Sequence, residues 1–212
     1  SFEINDIPLI RYVAKKHKPM IISTGVADLD DIQLALDTCY KEGNYDISLL
    51  KCTSEYPATY EQANLLTIPD MIHRFGIPVG VSDHTMGSLV PIVAVSLGAT
   101  IVEKHFILSR TNGGPDSAFS MEPNEFREMV DSIRNVERAL GNVKYDITDY
   151  QRGKRRSLYA RTDIHCGDVF TDQNVGSYRP GVGLSPQYWD QIMGKTCKRE
   201  IVKGDVLRQE LS

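Results

Sequence analysis

The chain has 212 residues, 41% hydrophobic and 25% charged, with a formal net charge of -4, an ordinary composition for a globular protein of one large domain, or of a medium and a small one. No basic face stands out to suit a nucleic acid, and Lys154-Arg155-Arg156 is short enough to read as a solvated linker or an inter-domain contact. No apolar run nears membrane-spanning length, no signal peptide opens the chain, and Cys39, Cys52, Cys166 and Cys197 show no CxxC spacing, so they read as reduced thiols of a cytoplasmic protein.

Ser1-Phe2-Glu3-Ile4 has no initiator methionine and reads as the end of a strand already under way. The chain is therefore expected to be the C-terminal part of something longer. Asp6 to His17 predicts a helix, with Pro8 in its first turn and Leu9, Ile10, Tyr12 and Val13 as its apolar face. Pro19 to Gly25 predicts a short buried strand ending in a small-residue turn. Asp28 to Glu42 is an amphipathic helix stopped by Gly43. Ile47 to Thr53 is the next strand, followed by the loop Ser54-Glu55-Tyr56-Pro57-Ala58. A helix over Leu65–Phe75 leads to the strand Val79–Ser82, a helix over Leu89–Leu97, and a last strand over Thr100–Phe106.

Four strands thus alternate with helices, and each strand is apolar on both faces, as a doubly covered parallel sheet demands. Four βα units are half of an eight-unit barrel. An open four-stranded sheet is the alternative, but no G-x-G-x-x-G loop follows any strand. Asn124 to Leu140 predicts a strong helix ended by Gly141, and residues 142–154 read as a polar, irregular linker. After it come short elements around Ser157–Ala160, Ser177–Gly181 and Ile201–Leu207, separated by Gly turns. They suggest a small β-rich domain over residues 155–212, with a core marginal on its own. The barrel part is expected to span residues 1–141.

The chemistry gathers where consecutive strands end. Val-Gly-Val-Ser-Asp-His and Ile-Val-Glu-Lys-His place His84 and His105 at the same position of two adjacent strands. Parallel sheets collect ligands at their C-terminal ends, and two imidazoles there suit one shared metal ion. The competing reading is a pair of hydrogen-bonded structural histidines. Asp83 reads as a holder of His84 or a cap rather than a ligand. Glu103 and Lys104 alternate faces; Glu103 is the one expected in the barrel interior, paired with a cation. Lys51 is either a substrate cation or a partly buried structural lysine. His17, His73 and His165 read as surface residues, and Trp189 as core of the small domain.

Several motifs, in order, resemble the sialic acid synthase family: Phe2-Glu3-Ile4 with Pro8-Leu9-Ile10, Lys51-Cys52-Thr53-Ser54-Glu55-Tyr56-Pro57, Ser82-Asp83-His84-Thr85, Glu103-Lys104-His105-Phe106, Gly114-Pro115-Asp116 and Arg179-Pro180-Gly181. Within that family, the run from Gly113 to Ser120 is most similar to the pseudaminic acid synthases. The resemblance implies a TIM barrel followed by an antifreeze-like (SAF) domain, in a homodimer whose small domains cap the partner's barrel. It implies condensation of phosphoenolpyruvate with an N-acylated amino sugar, giving a nine-carbon 2-keto acid and phosphate. A divalent ion, Mn2+ or Mg2+, is implied at His84 and His105. Ser1, Ser54 and Ser82 match positions at phosphoenolpyruvate, although Ser54 stands where the N-acetylneuraminate enzymes have asparagine. Glu3 and Asp116 match contacts to the sugar hydroxyls, Tyr56 lies on the same rim, and Arg179 matches an arginine that reaches the substrate across the dimer. Asp116 as a mere turn former and Arg179 as a domain-interface residue are the plain alternatives.

Three rival classes stand beside this one. Another metal-dependent phosphoenolpyruvate synthase would lack the tail with Arg-Pro-Gly. A non-catalytic carbohydrate-binding module on a remnant barrel would not need His84, His105 and Asp116. A metal-dependent isomerase on the same barrel would not consume phosphoenolpyruvate. A half-barrel alone is expected to be inactive, with two sheet edges prone to association.

Overall fold

The computed structural model describes residues 1–208; residues 209–212, the last four of the domain expected over 155–212, lie outside the described residues. The chain divides into two units, Ser1–Asn142 and Val143–Ser212.

In the first unit the sequence supplies caps where helices begin. Asp6 accepts the Leu9 amide at the start of α1 (Ile7–Ala14), which carries Pro8 in its first turn. Asp28 and Asp31 form a reciprocal capping box at the start of α2 (Leu29–Lys41). Gly76 closes α3 (Thr67–Phe75) in the left-handed conformation, φ 64°, a geometry a side chain would resist. The helix α4 (Leu89–Ser96) is apolar up to Ser96, and α5 (Pro123–Leu140) opens on a Glu122–Glu125 capping box.

Between them run β1 (Met20–Ser23), β2 (Ile47–Cys52), β3 (Val79–Asp83) and β4 (Val102–Lys104). All pair in parallel, in the order β1-β2-β3-β4, so neighbours in sequence are neighbours in the sheet. This is a half-barrel of four βα units. One core of Ile10, Ala35, Leu36, Leu49, Ile68, Met71, Val79, Val81 and Ala94 lies between helices and sheet. A smaller cluster of Met121, Met129 and Ile133 lies under α5, packed by Phe126, Val95 and Val102.

Three expectations need correction. Ser1 to Ile4 is not the end of a strand: the Ile4 amide bonds to the Ser1 carbonyl and the Asp6 amide to the Glu3 carbonyl, which folds these residues into turns. The strand expected over Thr100–Phe106 is only Val102–Lys104, because its β3 partner stops at Asp83; His105 instead gives its carbonyl to the Met121 amide, and Phe106 bridges Met121. Full burial on both faces holds for β3 and, apart from the partly exposed Ser48, for β2, but not for the edge strands, where Ile21 of β1 is exposed.

The second unit is held by short pieces. The helix α6 (Asp149–Gly153), capped by Thr148 and Gln151, falls inside the stretch expected to be irregular. Strands β5 (Ser157–Ala160) and β6 (Val175–Tyr178) pair antiparallel. Residues 201–207 form no ladder of their own; they add isolated bridges, Ile164 to Ile201 and Tyr159 to Val206. Leu158, Ile164, Phe170, Val175, Ile192 and Leu207 make the core, with Trp189, on α7 (Trp189–Ile192), packed against it.

Candidate active site

Pleating decides which side chains meet. The register pairs Cys52 with Ser82 and Ser82 with Glu103, and one residue on pairs Asp83 with Lys104. Because successive side chains alternate, Cys52, Ser82 and Glu103 share one face, while Lys51, Asp83 and Lys104 share the other. The first face leads to the two histidines.

His84 follows β3 and is buried, 5% exposed. Its Nδ1 lies 2.7 Å from the Thr53 carbonyl. A carbonyl only accepts, so Nδ1 carries the proton and Nε2 keeps its lone pair. His105 follows β4 and is half-buried; its Nδ1 lies 3.6 Å from Asp116 Oδ2. The two ring centres are 5.1 Å apart at 71°. Imidazole nitrogens about 2.0–2.2 Å from one ion hold their ring centres roughly 5 Å apart, so the pair fits a shared metal. Among the described residues, no group of three or more His, Cys, Asp or Glu is placed to hold one. Any ion would take its remaining ligands from elsewhere, as a catalytic site requires.

Aromatic rings surround this pair. The Tyr56 ring lies 4.3 Å from His84 and 5.9 Å from His105; that of Phe119, which is buried, lies 5.0 Å from His105 and 6.1 Å from Tyr56. The Ser120 hydroxyl bonds to the Asp116 carbonyl, and Arg110 reaches the Ser120 carbonyl and Glu125, which fixes the loop that presents Asp116.

Beside the histidines sits a cluster of small polar groups. Ser1 Oγ meets Ser23 Oγ at 2.9 Å and accepts the Gly25 amide at 3.2 Å. Cys52 Sγ lies 3.7 Å from Ser54 Oγ and 4.0 Å from His84 Nδ1. Gly25 leaves room for them: a Cβ there would stand 2.1 Å from Ser54 Oγ, 2.8 Å from Ser1 Oγ and 3.0 Å from Cys52 Sγ. The Ser82 hydroxyl donates to Glu103 at 2.6 Å.

The electrostatics follow from these contacts. Burial disfavours charge on His84, but its bonds to Cys52 and to the Thr53 carbonyl outweigh that and leave its pKa raised. Burial, then the neighbouring His84, hold His105 below the ordinary imidazole value. Burial would push the Cys52 thiol up; bonds from His84, Ser1, Ser23 and Ser54 overcome it and bring the pKa to about 6. Tyr56 is pushed up, by burial and then by Cys52, Asp116 and Glu103.

Of the expected site residues, His84, His105, Tyr56 and Asp116 come together, and Ser1 and Ser54 join them through Cys52. Ser82 shares their face. Glu3 is exposed and lines, with Ser1, Ser23 and Leu9, a cavity of about 220 Å³. Arg179 belongs to the second unit, where it lines an open cavity of about 480 Å³ with Tyr159, Arg161, Tyr178 and Lys203. Glu103 bonds to a hydroxyl and not to the expected cation; the buried ion pair is the neighbouring one, Lys104 with Asp83. Lys51 is buried, bonds to Thr53 Oγ1 at 2.8 Å and lies on the face away from the histidines. Sequence reasoning missed Ser23, Gly25, Cys52 and Phe119. A small or polar residue just where an apolar strand ends was the available sign for the first three; a lone phenylalanine in a polar loop was the sign for the fourth.

Comparison with known proteins places this geometry. Residues 1–145 match the NeuB family and residues 155–211 the SAF domain. The chain is 42% identical over 212 residues to a pseudaminic acid synthase of Campylobacter jejuni, covering 99% of this chain and 62% of that protein. It is 37% identical over 218 residues to an N,N'-diacetyllegionaminic acid synthase of Legionella pneumophila, covering 99% and 61%. The crystal structure of the Bacillus subtilis spore coat polysaccharide biosynthesis protein spsE superposes with a TM-score of 0.64 at 34% identity, covering 96% of this chain and 63% of that one. The chain thus spans about 62% of the length of the first of these relatives. Its half-barrel, its strand-end histidines and these matches lead to one assignment: the chain belongs to the NeuB family and carries a SAF domain C-terminal to the barrel portion in sequence.

Proposed function

We propose that the gene product condenses phosphoenolpyruvate with an N-acylated amino sugar, releasing phosphate and a nine-carbon 2-keto sugar acid, and that the sugar is the pseudaminic acid precursor. The observation that carries the reading is the His84–His105 pair, 5.1 Å between ring centres, with His84 Nδ1 occupied by a carbonyl so that Nε2 keeps its lone pair. A Mn2+ or Mg2+ ion held there supplies Lewis acidity toward the sugar aldehyde.

The chain's own residues do the rest. A new bond joins the methylene carbon of phosphoenolpyruvate to the aldehyde carbon; water adds at C2, and phosphate leaves by C–O cleavage. The hydroxyls of Ser1, Ser23 and Ser54 with the Gly25 amide cluster as an anion-binding group for the phosphate or carboxylate. Ser82, on the same face, is a further hydroxyl toward phosphoenolpyruvate. Asp116 and Glu3 offer carboxylates to sugar hydroxyls. Tyr56 and Phe119 wall the site with aromatic rings and limit the water around the reacting carbons. Arg179 offers a forked donor to a carboxylate or an acyl carbonyl, and a homodimer with swapped small domains is the arrangement in which it would serve. We place the reaction in the cytoplasm, in sugar-acid biosynthesis for a polysaccharide.

The similarity over 99% of the chain to a pseudaminic acid synthase and the run from Gly113 to Ser120 favour that sugar. The legionaminic or N-acetylneuraminate type is the second reading, favoured by the 37% identity to the Legionella enzyme. The test is phosphate release from phosphoenolpyruvate with Mn2+, using the gene product and three sugars: N-acetylmannosamine and the diacetamido-trideoxyhexoses of altrose and of mannose type. Turnover with the altrose-type sugar alone supports the proposal. Turnover with another moves the substrate, and none with any would remove the function, leaving the carbohydrate-binding module.

A further inference from the structure

His84 and His105 follow different strands, and the β3–β4 register ends one residue before each, at Asp83 and Lys104. Their separation therefore depends on what ties the strand ends together. Lys104 Nζ donates to Asp83 Oδ2 at 2.6 Å and to the Thr85 carbonyl. The Asp83 carboxylate also takes the Thr85 amide at 2.9 Å and the Thr85 hydroxyl at 3.1 Å. One ammonium, carried on the residue before His105, thus grips the residues on both sides of His84. The two charged side chains are only 1% and 2% exposed.

Burial of such a pair is a poor route to stability. Desolvation of the two ions cancels most of their attraction, and an apolar pair of the same volume does as well. What the charges add is direction: charge-assisted bonds of fixed length to defined atoms. Both side chains lie on the face opposite Cys52, Ser82 and Glu103, away from the imidazoles. We propose that Asp83 and Lys104 form a positioning clamp that sets the distance between His84 and His105, and through it the affinity for the divalent ion, without touching metal or substrate. The inference rests on the metal reading above.

The test reads Mn2+ binding directly, by paramagnetic resonance of the free ion, in the gene product and in K104M, D83N and D83N/K104M, with thermal unfolding alongside. Each single change leaves one buried charge alone and lowers the melting temperature. The double change removes both charges and recovers it. All three are expected to bind Mn2+ on the order of 10-fold more weakly or worse, as loss of the groups that orient metal ligands does elsewhere. A double variant with both stability and affinity restored overturns the clamp and leaves an ordinary structural pair. H84A separates the two ideas: if the unaltered protein holds no Mn2+, or H84A holds it equally well, the metal assignment itself falls.

Discussion

Replacing Gly25 with alanine probes the polar cluster with a single methyl group. The added Cβ would stand 2.1 Å from Ser54 Oγ and 2.8 Å from Ser1 Oγ, whereas carbon and oxygen rest about 3.3–3.6 Å apart even in a weak C–H···O contact. The Ser54 hydroxyl must retreat by more than 1 Å, beyond the narrow range of a good hydrogen bond. Its backbone is not in the left-handed region, so alanine is conformationally allowed and the fold is retained. Loss of one hydrogen bond to a charged group costs about 1.5–3 kcal/mol, which is roughly 10- to 150-fold in kcat/KM. Steady-state phosphate release at varied phosphoenolpyruvate, with far-UV circular dichroism as the folding control, reads this out. The loss should appear with phosphoenolpyruvate as the varied substrate. A well-folded G25A with wild-type kcat/KM for phosphoenolpyruvate would refute the assignment of Ser1 and Ser54 to that substrate.

H84A and H105A should each abolish Mn2+-dependent phosphate release while circular dichroism stays unchanged; near-full activity in either would sink the metal pair. Gly80 sits in β3, an inner strand, where a Cβ would meet the Ile101 carbonyl at 2.5 Å and Leu50 Cδ2 at 2.7 Å. G80A is therefore expected to lose about 1–3 kcal/mol through overpacking, seen as a lower urea midpoint, and an unchanged midpoint would count against this packing. In the second unit the His165 pKa is raised, first by its hydrogen bond to Glu200 at 2.7 Å. The stabilising effect of that pair is complete below the unfolded-state value of about 6.5 and fades as pH rises through the raised one. NMR titration of the His165 ring should show the raised pKa, and E200Q should return it to the ordinary range.

The positions of His84 and His105 were legible because a βαβ repeat makes the ends of consecutive strands equivalent, and a strand end is visible as the last apolar residue. The role of Lys104 was not. Which of Glu103 and Lys104 is buried depends on pairing across to Asp83, and alternation alone gives two equivalent answers. Ser23, Gly25 and Cys52 stayed hidden for a related reason. They meet only when β1 and β2 are laid side by side, and none carries a charge of its own. Ser1 to Ile4 read as strand because Phe and Ile favour it. Consecutive turn bonds and the burial of Ile4 in the core override that local preference.

The two units also differ in the order in which their pairings can close. In the half-barrel each strand pairs with the next one made, so successive βα units can add as the polypeptide leaves the ribosome. In the second unit Leu158 donates to the Leu184 carbonyl, Leu184 to that of Leu207, and Leu207 back to that of Leu158. This is a closed circuit of amides: until Leu207 is synthesised, two of its three bonds are unmade. The closing bond, from Leu207 back to Leu158, is the long-range one, and long-range closure slows folding. The half-barrel is accordingly expected to be structured first during translation, with the SAF unit closing in a single late step once its final bridge-forming residues emerge.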